Sequence, residues 1–278
     1  MNILITGSKG QLGRALRKEF KSDKDVSLIL TDIDEMDITD IEDIKRVVFE
    51  HKPDVVINCA AHTAVDMCED DKEKAYLINY NGAENLAIVS HEAGAKMIHI
   101  STDYVFDGDS NKPYIETDKP NPQSVYGSSK RDGEIAVLKN NKKSFILRTA
   151  WLYGEGKNFV KTMLQLSTKM DSIKVVDDQV GAPTSAIEVA KAIALLAKSD
   201  AYGIYHGTCE GSCSWYEFAN KIFELKNINI EVTPCTTSEF PLKAKRPNFS
   251  VLENKAFKEK FDYEFSHWQD AIEEYFRH

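Results

Sequence analysis

The sequence predicts an α/β protein built on a Rossmann-type, doubly wound parallel sheet, with a smaller C-terminal substrate-binding portion. Two observations support this prediction. Short apolar runs alternate with helical patterns through the first 150 residues, and the first apolar run leads directly into a glycine-rich loop that precedes a helix. Because parallel strands need crossover connections, this alternation indicates helices on both faces of the sheet.

The elements of the first half follow from hydrophobic spacing and from residues that end helices. Strands are predicted at short apolar runs, and helices where apolar residues recur every three or four positions. Pro53 and Gly94 mark the ends of the second and third helices. The predicted strands are 2–6, 27–31, 54–58, 96–101 and 144–148, and the predicted helices are 12–20, 41–50, 74–93 and 124–140.

The regular alternation loosens after about residue 150. Prolines mark a loop-rich stretch there, at Pro234, Pro241 and Pro247. We therefore expect an NAD(P)-binding domain at 1–150 and a mainly substrate-binding portion at 151–278, with segments near 174–206 returning to the first domain. Helical spacing in the second half predicts helices at 158–167, 185–197, 215–225, 257–261 and 268–276.

Composition excludes several classes of function. The 278 residues are enough for a large core, and a formal net charge of -9 disfavours nucleic acid and anionic membranes as partners. The first apolar run is too short for a signal peptide, and none approaches the roughly 20 residues of a membrane span. We therefore expect a cytoplasmic protein. The five cysteines predict buried thiols rather than disulfides, and no residue pattern predicts a metal site.

The loop after the first strand carries the first functional signal. Its glycines have the spacing G-x-x-G-x-x-G, which permits a tight turn and a close approach of backbone N–H groups to a pyrophosphate. The positive end of the following helix favours the same anion. The alternative is a simple strand–helix turn with spare glycines. The predicted cofactor-binding residues here are Gly7, Lys9, Gly10, Gln11, Leu12 and Gly13.

Two residues give opposite indications of which nicotinamide cofactor binds. Asp32 follows the second strand, where a carboxylate accepts hydrogen bonds from the ribose 2′-OH and repels a 2′-phosphate. Lys9 in the glycine loop could pair with that phosphate, so NADH is only slightly favoured over NADPH. Asp37 could accept the adenine amino group, with Ile38 beside it. The alternative for Asp37 is an acid that precedes the next helix.

The second signal is a tyrosine and a lysine four residues apart on a predicted helix, Tyr126 and Lys130. Residues at this spacing share a helix face, so the ammonium can stabilise the phenolate and lower the tyrosine pKa. Such a tyrosine can donate a proton to a carbonyl oxygen at neutral pH. The alternative is a surface pair. At the end of the fourth strand, Thr102 supplies a hydroxyl that can hydrogen-bond a substrate carbonyl.

These motifs resemble those of the extended short-chain dehydrogenases/reductases. The matching stretches are TGxxGxxG at 6–13, DVVINCAAHTAVD at 54–66, STDYVFDG at 101–108 and YGSSK at 126–130. The stretches RTAWLYG at 148–154, DQVGAPT at 178–184 and RPNFS at 246–250 are similar to the dTDP-4-dehydrorhamnose reductases within that family. The resemblance runs from residue 1 to about residue 252. It implies NADH or NADPH as cofactor and a dTDP-linked 4-keto-6-deoxy sugar as substrate.

The resemblance also implies residue roles. Thr102 would bind the C4 carbonyl, Tyr126 would donate the proton, and Lys130 would tune Tyr126 and hold the nicotinamide ribose. Trp151 is alternatively a core aromatic residue, and Arg246 alternatively half of a surface ion pair. Further residues implied at the cofactor are Cys59, Ala60 and Ala61, and those implied at the substrate are Val65, Asp66, Asp103, Trp151, Gln179, Gly181 and Arg246.

Two other functions remain open from the sequence. An epimerase or dehydratase of the same fold would recycle a tightly held cofactor, and a non-catalytic protein resembling the regulatory subunit of methionine adenosyltransferase would bind NADP without turnover. Related dehydratases carry a second carboxylate after the residue matching Asp103, whereas this chain has Tyr104 there. Elimination would then lack its acid. The resemblance leaves a magnesium ion and a homodimer open, because no ligand cluster compels either.

Overall fold

The structure is a computed structural model that describes residues 1–240 and 242–277, so Pro241 of the proline-marked stretch and His278 lie outside the described residues. The strands are β1 (Asn2–Thr6), β2 (Ser27–Leu30), β3 (Val55–Asn58), β4 (Lys96–Thr102), β5 (Ser144–Thr149), β6 (Leu152–Tyr153), β7 (Ser172–Val176), β8 (Val180–Gly181), β9 (Thr184–Ser185), β10 (Gly203–His206), β11 (Cys213–Ser214) and β12 (Glu231–Cys235). The helices are α1 (Gln11–Glu19), α2 (Ile41–His51), α3 (Val65–Asp70), α4 (Lys72–Tyr76), α5 (Ala83–Glu92), α6 (Val125–Asn140), α7 (Phe159–Leu166), α8 (Ala186–Ala197), α9 (Trp215–Lys226), α10 (Lys255–Phe261) and α11 (Trp268–Arg277).

The central sheet confirms the predicted doubly wound fold. Its strands are all parallel, in the order β2-β1-β3-β4-β5-β10. The chain leaves β1 toward β2 on one side and returns to β3 on the other side. The carboxyl ends of β1 and β3 therefore flank a topological switch point, which is where open α/β sheets bind ligands.

Alternate residues of the strands feed two separate apolar layers. Ile3 and Ile5 of β1 point to the face covered by α1 and α8, whereas Leu4 points to the face covered by α2 and α5. All three side chains are fully buried. This period-two burial on both faces is what a parallel sheet covered by helices requires.

The second half only partly returns to the sheet. Helix α8 packs against α1, and β10 pairs with β5, so these two segments of the stretch 174–206 contact the first half. Strand β7 instead pairs with β12 in a separate two-stranded sheet. Together with α7, α9 and α11, these strands enclose their own apolar core around Phe218 and Ile272. The stretch after residue 150 therefore leaves the sheet, returns to it, and leaves again.

The helix predicted at 74–93 is interrupted in the structure. A π-helical segment, Leu77–Gly82, separates α4 from α5. The wider turn carries the buried side chain of Asn79, which accepts a hydrogen bond from the His62 N–H at 2.8 Å and donates to Ser129 on α6 at 3.1 Å. Asn79 thus links the loop after β3 to the helix that carries Tyr126. Periodicity alone could not show this, because a π-segment is a single short turn inside an otherwise α-helical stretch.

Within the described residues, no helix has the length and apolar character needed to span a membrane.

Candidate active site

A cleft of about 990 Å³ opens at the carboxyl ends of β1, β3 and β4. Every residue predicted to bind the cofactor lines it, and so do Val65, Thr102, Asp103 and Trp151 from the predicted substrate set. The four other predicted substrate residues lie behind or beside this lining: Asp66, Gln179, Gly181 and Arg246. The roles of all these residues stay predictions.

The glycine loop is shaped for close backbone approach. Gly7 adopts φ of +60°, and a Cβ there would lie 2.8 Å from the backbone N of Ala60. A Cβ at Gly13 would lie 2.5 Å from the carbonyl oxygen of Gly7. Gly10 precedes α1 and supplies no side-chain cap, so the first N–H groups of the helix remain open to the cleft. This arrangement fits a dinucleotide pyrophosphate.

The cleft lining contains both residues that bear on the predicted choice of cofactor. The Asp32 carboxylate accepts the backbone N–H of Lys9 at 3.1 Å. The Lys9 ammonium instead pairs with Asp34 at 3.1 Å and with Glu35 at 3.0 Å. Asp34 and Glu35 therefore already neutralise the Lys9 charge with which a 2′-phosphate would have to pair. Asp37 accepts two hydrogen bonds from Thr39, and because Asp40 caps α2, Asp37 is not that helix's cap.

The predicted catalytic residues converge on the cleft wall. The Thr102 hydroxyl donates to Asp103 at 2.8 Å, and burial raises the pKa of Asp103 to about 6. Burial also raises the pKa of Tyr126 above its ordinary value and lowers the pKa of Lys130 to about 8. Desolvation therefore outweighs the lowering of the Tyr126 pKa that is expected from Lys130. The Lys130 Nζ donates to the Ile100 carbonyl at 2.6 Å.

Helix α6 is held tightly against its neighbours. Ser124 caps it by accepting the Gly127 N–H at 3.1 Å. A Cβ at Gly127 would lie 2.2 Å from the Tyr104 carbonyl oxygen, so only glycine permits this approach. Two turns beyond Tyr126, the buried Glu134 forms a two-point ion pair with Arg148 of β5, both contacts at 2.8 Å. This pair fixes the helix to the sheet.

A stacked pair of indoles forms one wall of the cleft. Trp151 and Trp215 are parallel, with ring centroids 3.4 Å apart. Trp151 adopts φ of +47°, and a Cβ at Gly181 would lie 2.4 Å from its ring. The Trp215 Nε1 donates to Gln179 at 3.2 Å. Gly181 and Gln179 therefore act on the cleft through the two indoles. Sequence analysis missed Trp215, since its helical spacing indicated only a core position.

Arg246 does not extend into the cleft. Its guanidinium pairs with Asp66 at 2.6 Å and donates to the Tyr104 hydroxyl at 2.9 Å. The pair is partly buried, with the Arg246 side chain 19% exposed. Lys243 makes a parallel pair with Asp70 at 2.6 Å. These two contacts fasten the segment around residue 245 to α3, whose Val65 lines the cleft.

A metal centre would require several ionisable residues of the described part of the chain to lie together as ligands. Across residues 1–240 and 242–277, no group of three or more His, Cys, Asp and Glu side chains is placed to bind a metal. All five cysteines, which lie in that part of the chain, are free thiols.

Comparisons with known proteins agree with this geometry. The model of the RmlD substrate binding domain matches residues 1–278. A dTDP-4-dehydrorhamnose reductase structure from Clostridium acetobutylicum is 49% identical, with a TM-score of 0.97 over 100% of this chain and 99% of that one. One from Bacillus anthracis, in complex with NADP, is 40% identical with a TM-score of 0.97, covering 99% and 98%. The spore coat polysaccharide biosynthesis protein SpsK of Bacillus subtilis is 42% identical over 98% of this chain and 96% of its own length. The chain therefore belongs to the RmlD substrate-binding domain family.

Proposed function

We propose that this chain is an NAD(P)H-dependent oxidoreductase that reduces the C4 keto group of dTDP-4-dehydro-L-rhamnose to dTDP-L-rhamnose. One observation carries the proposal: the glycine loop and the residues Thr102, Tyr126 and Lys130 open into a single cleft. When bound, the nicotinamide supplies a hydride to the carbonyl carbon. Similarity to reductases of dTDP-4-dehydrorhamnose supports the choice of sugar.

The chain's own residues then supply the proton that the keto oxygen takes up. In the free site the Thr102 hydroxyl donates to Asp103, and it can turn to the keto oxygen of a bound sugar. Tyr126 gives its hydroxyl proton to that oxygen as the hydride arrives, which leaves a phenolate. The Lys130 ammonium, four residues along α6, passes a proton to the phenolate and regains one from solvent, which resets the site.

Substrate binding uses the wall opposite the glycine loop. The flat faces of Trp151 and Trp215 suit a sugar ring or a base. Arg246 supplies bidentate donors for the diphosphate once it exchanges Asp66 for phosphate oxygens. This local cation offsets the acidic character of the whole chain.

The alternative functions have less support. Tyr104 stands where a dehydratase needs its second carboxylate, and its hydroxyl is engaged by Arg246. A non-catalytic cofactor-binding protein would not need Thr102 and Tyr126 together in the cleft wall. The proposed place of action is the cytoplasm, where free thiols stay reduced. Neither a magnesium ion nor a homodimer is part of the proposal.

The test follows nicotinamide absorbance with purified protein, the L-lyxo 4-keto sugar nucleotide made in place by its epimerase, and NADH or NADPH. Oxidation that requires both protein and sugar supports the proposal. Asp32→Ala should shift use toward NADPH, and Lys9→Ala serves as the paired variant. Retained cofactor without net oxidation would favour an epimerase or dehydratase. Binding of NADP without any turnover of sugar would favour the non-catalytic reading.

A further inference from the structure

A chain of four buried polar side chains runs behind the cleft. The Thr6 hydroxyl donates to Asn58 Oδ1 at 2.7 Å, and Asn58 Nδ2 lies 3.0 Å from His99 Nδ1. His99 Nε2 lies 3.3 Å from the Nζ of Lys130. No member of the chain is more than 2% exposed. Because water is excluded, each proton position must be set by the neighbouring side chains.

The Asn58 amide fixes the direction of this chain. Its Oδ1 also faces the backbone N–H of Ala60 at 3.1 Å, and a backbone N–H can only donate. Nδ2 of Asn58 must therefore point at His99 as a donor, so the Nδ1 of His99 accepts. Burial lowers the pKa of His99 well below its ordinary value, with Lys130 adding to the effect. The neutral ring then carries its only proton on Nε2.

That proton points at Lys130. A lysine ammonium has three donors and no lone pair, so it cannot accept from the Nε2–H of His99. A neutral amine can accept it. The amine also donates to the Ile100 carbonyl at 2.6 Å, which leaves one N–H for the cleft that Lys130 lines.

We propose that His99 is a positioning residue that donates from Nε2 to the neutral amine of Lys130 and favours that form before the cofactor binds. Above about pH 8, where the amine predominates, Lys130 takes up a proton from solvent as the cofactor binds, because the ribose hydroxyls offer acceptors to the ammonium. The catalytic importance of this hydrogen bond rests on the proposed function. The hydrogen bond itself and its effect on binding of a nicotinamide cofactor do not.

Lys130 has a pKa near 8, and the ionisable groups around it do not. The buried Cys59 thiol after β3 has its pKa raised to about 12, and burial raises the pKa of Tyr126 as well. Glu134 favours the ammonium form of Lys130, but Arg148 pairs with that carboxylate at 2.8 Å. A change in cofactor affinity between pH 7 and pH 9 therefore reports on Lys130, whose own pKa burial lowers to about 8.

Two measurements that need no sugar test the proposal. Nitrogen-15 NMR of histidine-labelled, cofactor-free protein should show the His99 ring protonated on Nε2 and bare on Nδ1. NADH fluorescence titrations should show affinity falling as pH rises through about 8. His99→Leu should move this fall upward by about one pH unit, because a hydrogen bond to the neutral amine is lost. His99→Gln can still donate at that place and should stay near the original profile.

A ring protonated on Nδ1, or a downward shift in His99→Leu, would mean that His99 accepts from an ammonium and would overturn the proposal. Circular dichroism and urea unfolding establish that each variant folds. If His99→Leu does not fold, the NMR tautomer and the His99→Gln profile still decide. A protein that shows the predicted tautomer and pH profile but turns over no sugar would refute the proposed function and leave this inference standing.

Discussion

The ion pair between Glu134 and Arg148 should contribute far more to stability than the surface pairs of this protein. Both side chains are at most 1% exposed, and they make two contacts at 2.8 Å. Ser101 and Arg131 add donors to the same carboxylate, at 2.6 Å and 3.1 Å. Glu134→Gln would leave the Arg148 guanidinium buried without its counter-charge. Breaking such a pair costs about 3–5 kcal/mol.

The assay is equilibrium urea unfolding followed by tryptophan fluorescence, since the chain has three tryptophans. Arg148→Met should lose a similar amount to Glu134→Gln, and thermal scans should show a fall on the order of 10 °C. The double variant Glu134→Leu with Arg148→Met should lose less stability than either single change, because no fully buried charge is left unpaired; Arg131, which also loses Glu134, is 27% exposed. Lys174→Met removes an exposed pair with Glu239 and should cost less than about 1 kcal/mol. A loss of unfolding free energy in Glu134→Gln as small as the loss in Lys174→Met would refute the reasoning.

Three further predictions follow from the cleft. Tyr126→Phe should leave the cofactor dissociation constant nearly unchanged and cut turnover by about a hundredfold or more; near-normal turnover would remove Tyr126 as the proton donor. Gly181→Ala should push Trp151 out of its stack, since the new Cβ would lie 2.4 Å from the ring, and steady-state kinetics should show a raised KM for sugar with unchanged NADH affinity. Asp103 has its pKa raised to about 6 by burial, so its contribution to stability is present below about pH 4 and is lost as pH rises toward 6. Asp103→Asn should therefore be more stable than the parent by about 3 kcal/mol at pH 7 in urea unfolding, and an unchanged midpoint there would contradict the shift.

Local signals made the cofactor half predictable. Gly7, Gly10 and Gly13 are close in sequence, and the backbone conformation they require is set by that short stretch. Tyr126 and Lys130 share a helix face for the same reason. Their convergence on one cleft follows from the strand order, which alternating strands and helices imply.

The indole wall of the cleft was less predictable because it is assembled from distant segments. Trp215 contacts Trp151 although the two lie 64 positions apart in the chain, and no local sequence pattern predicts that stack. His99 sits in an apolar strand run, where its partners Asn58 and Lys130 come from other elements. Long-range pairing of this kind depends on tertiary packing and leaves no periodic trace in the sequence.

Because the chain returns to the central sheet at β10, neither half of the chain forms an independent unit. Strand β10 covers one edge of β5, whose residues are buried along its whole length. A fragment ending at residue 150 would keep every glycine of the cofactor loop yet present β5 as a bare, apolar edge, which invites aggregation. A recombination that exchanges the second half between such proteins must therefore keep both places where the chain passes between the central sheet and the rest of the molecule. New substrate specificities then arise more readily by changes within loops than by exchange of the whole second half.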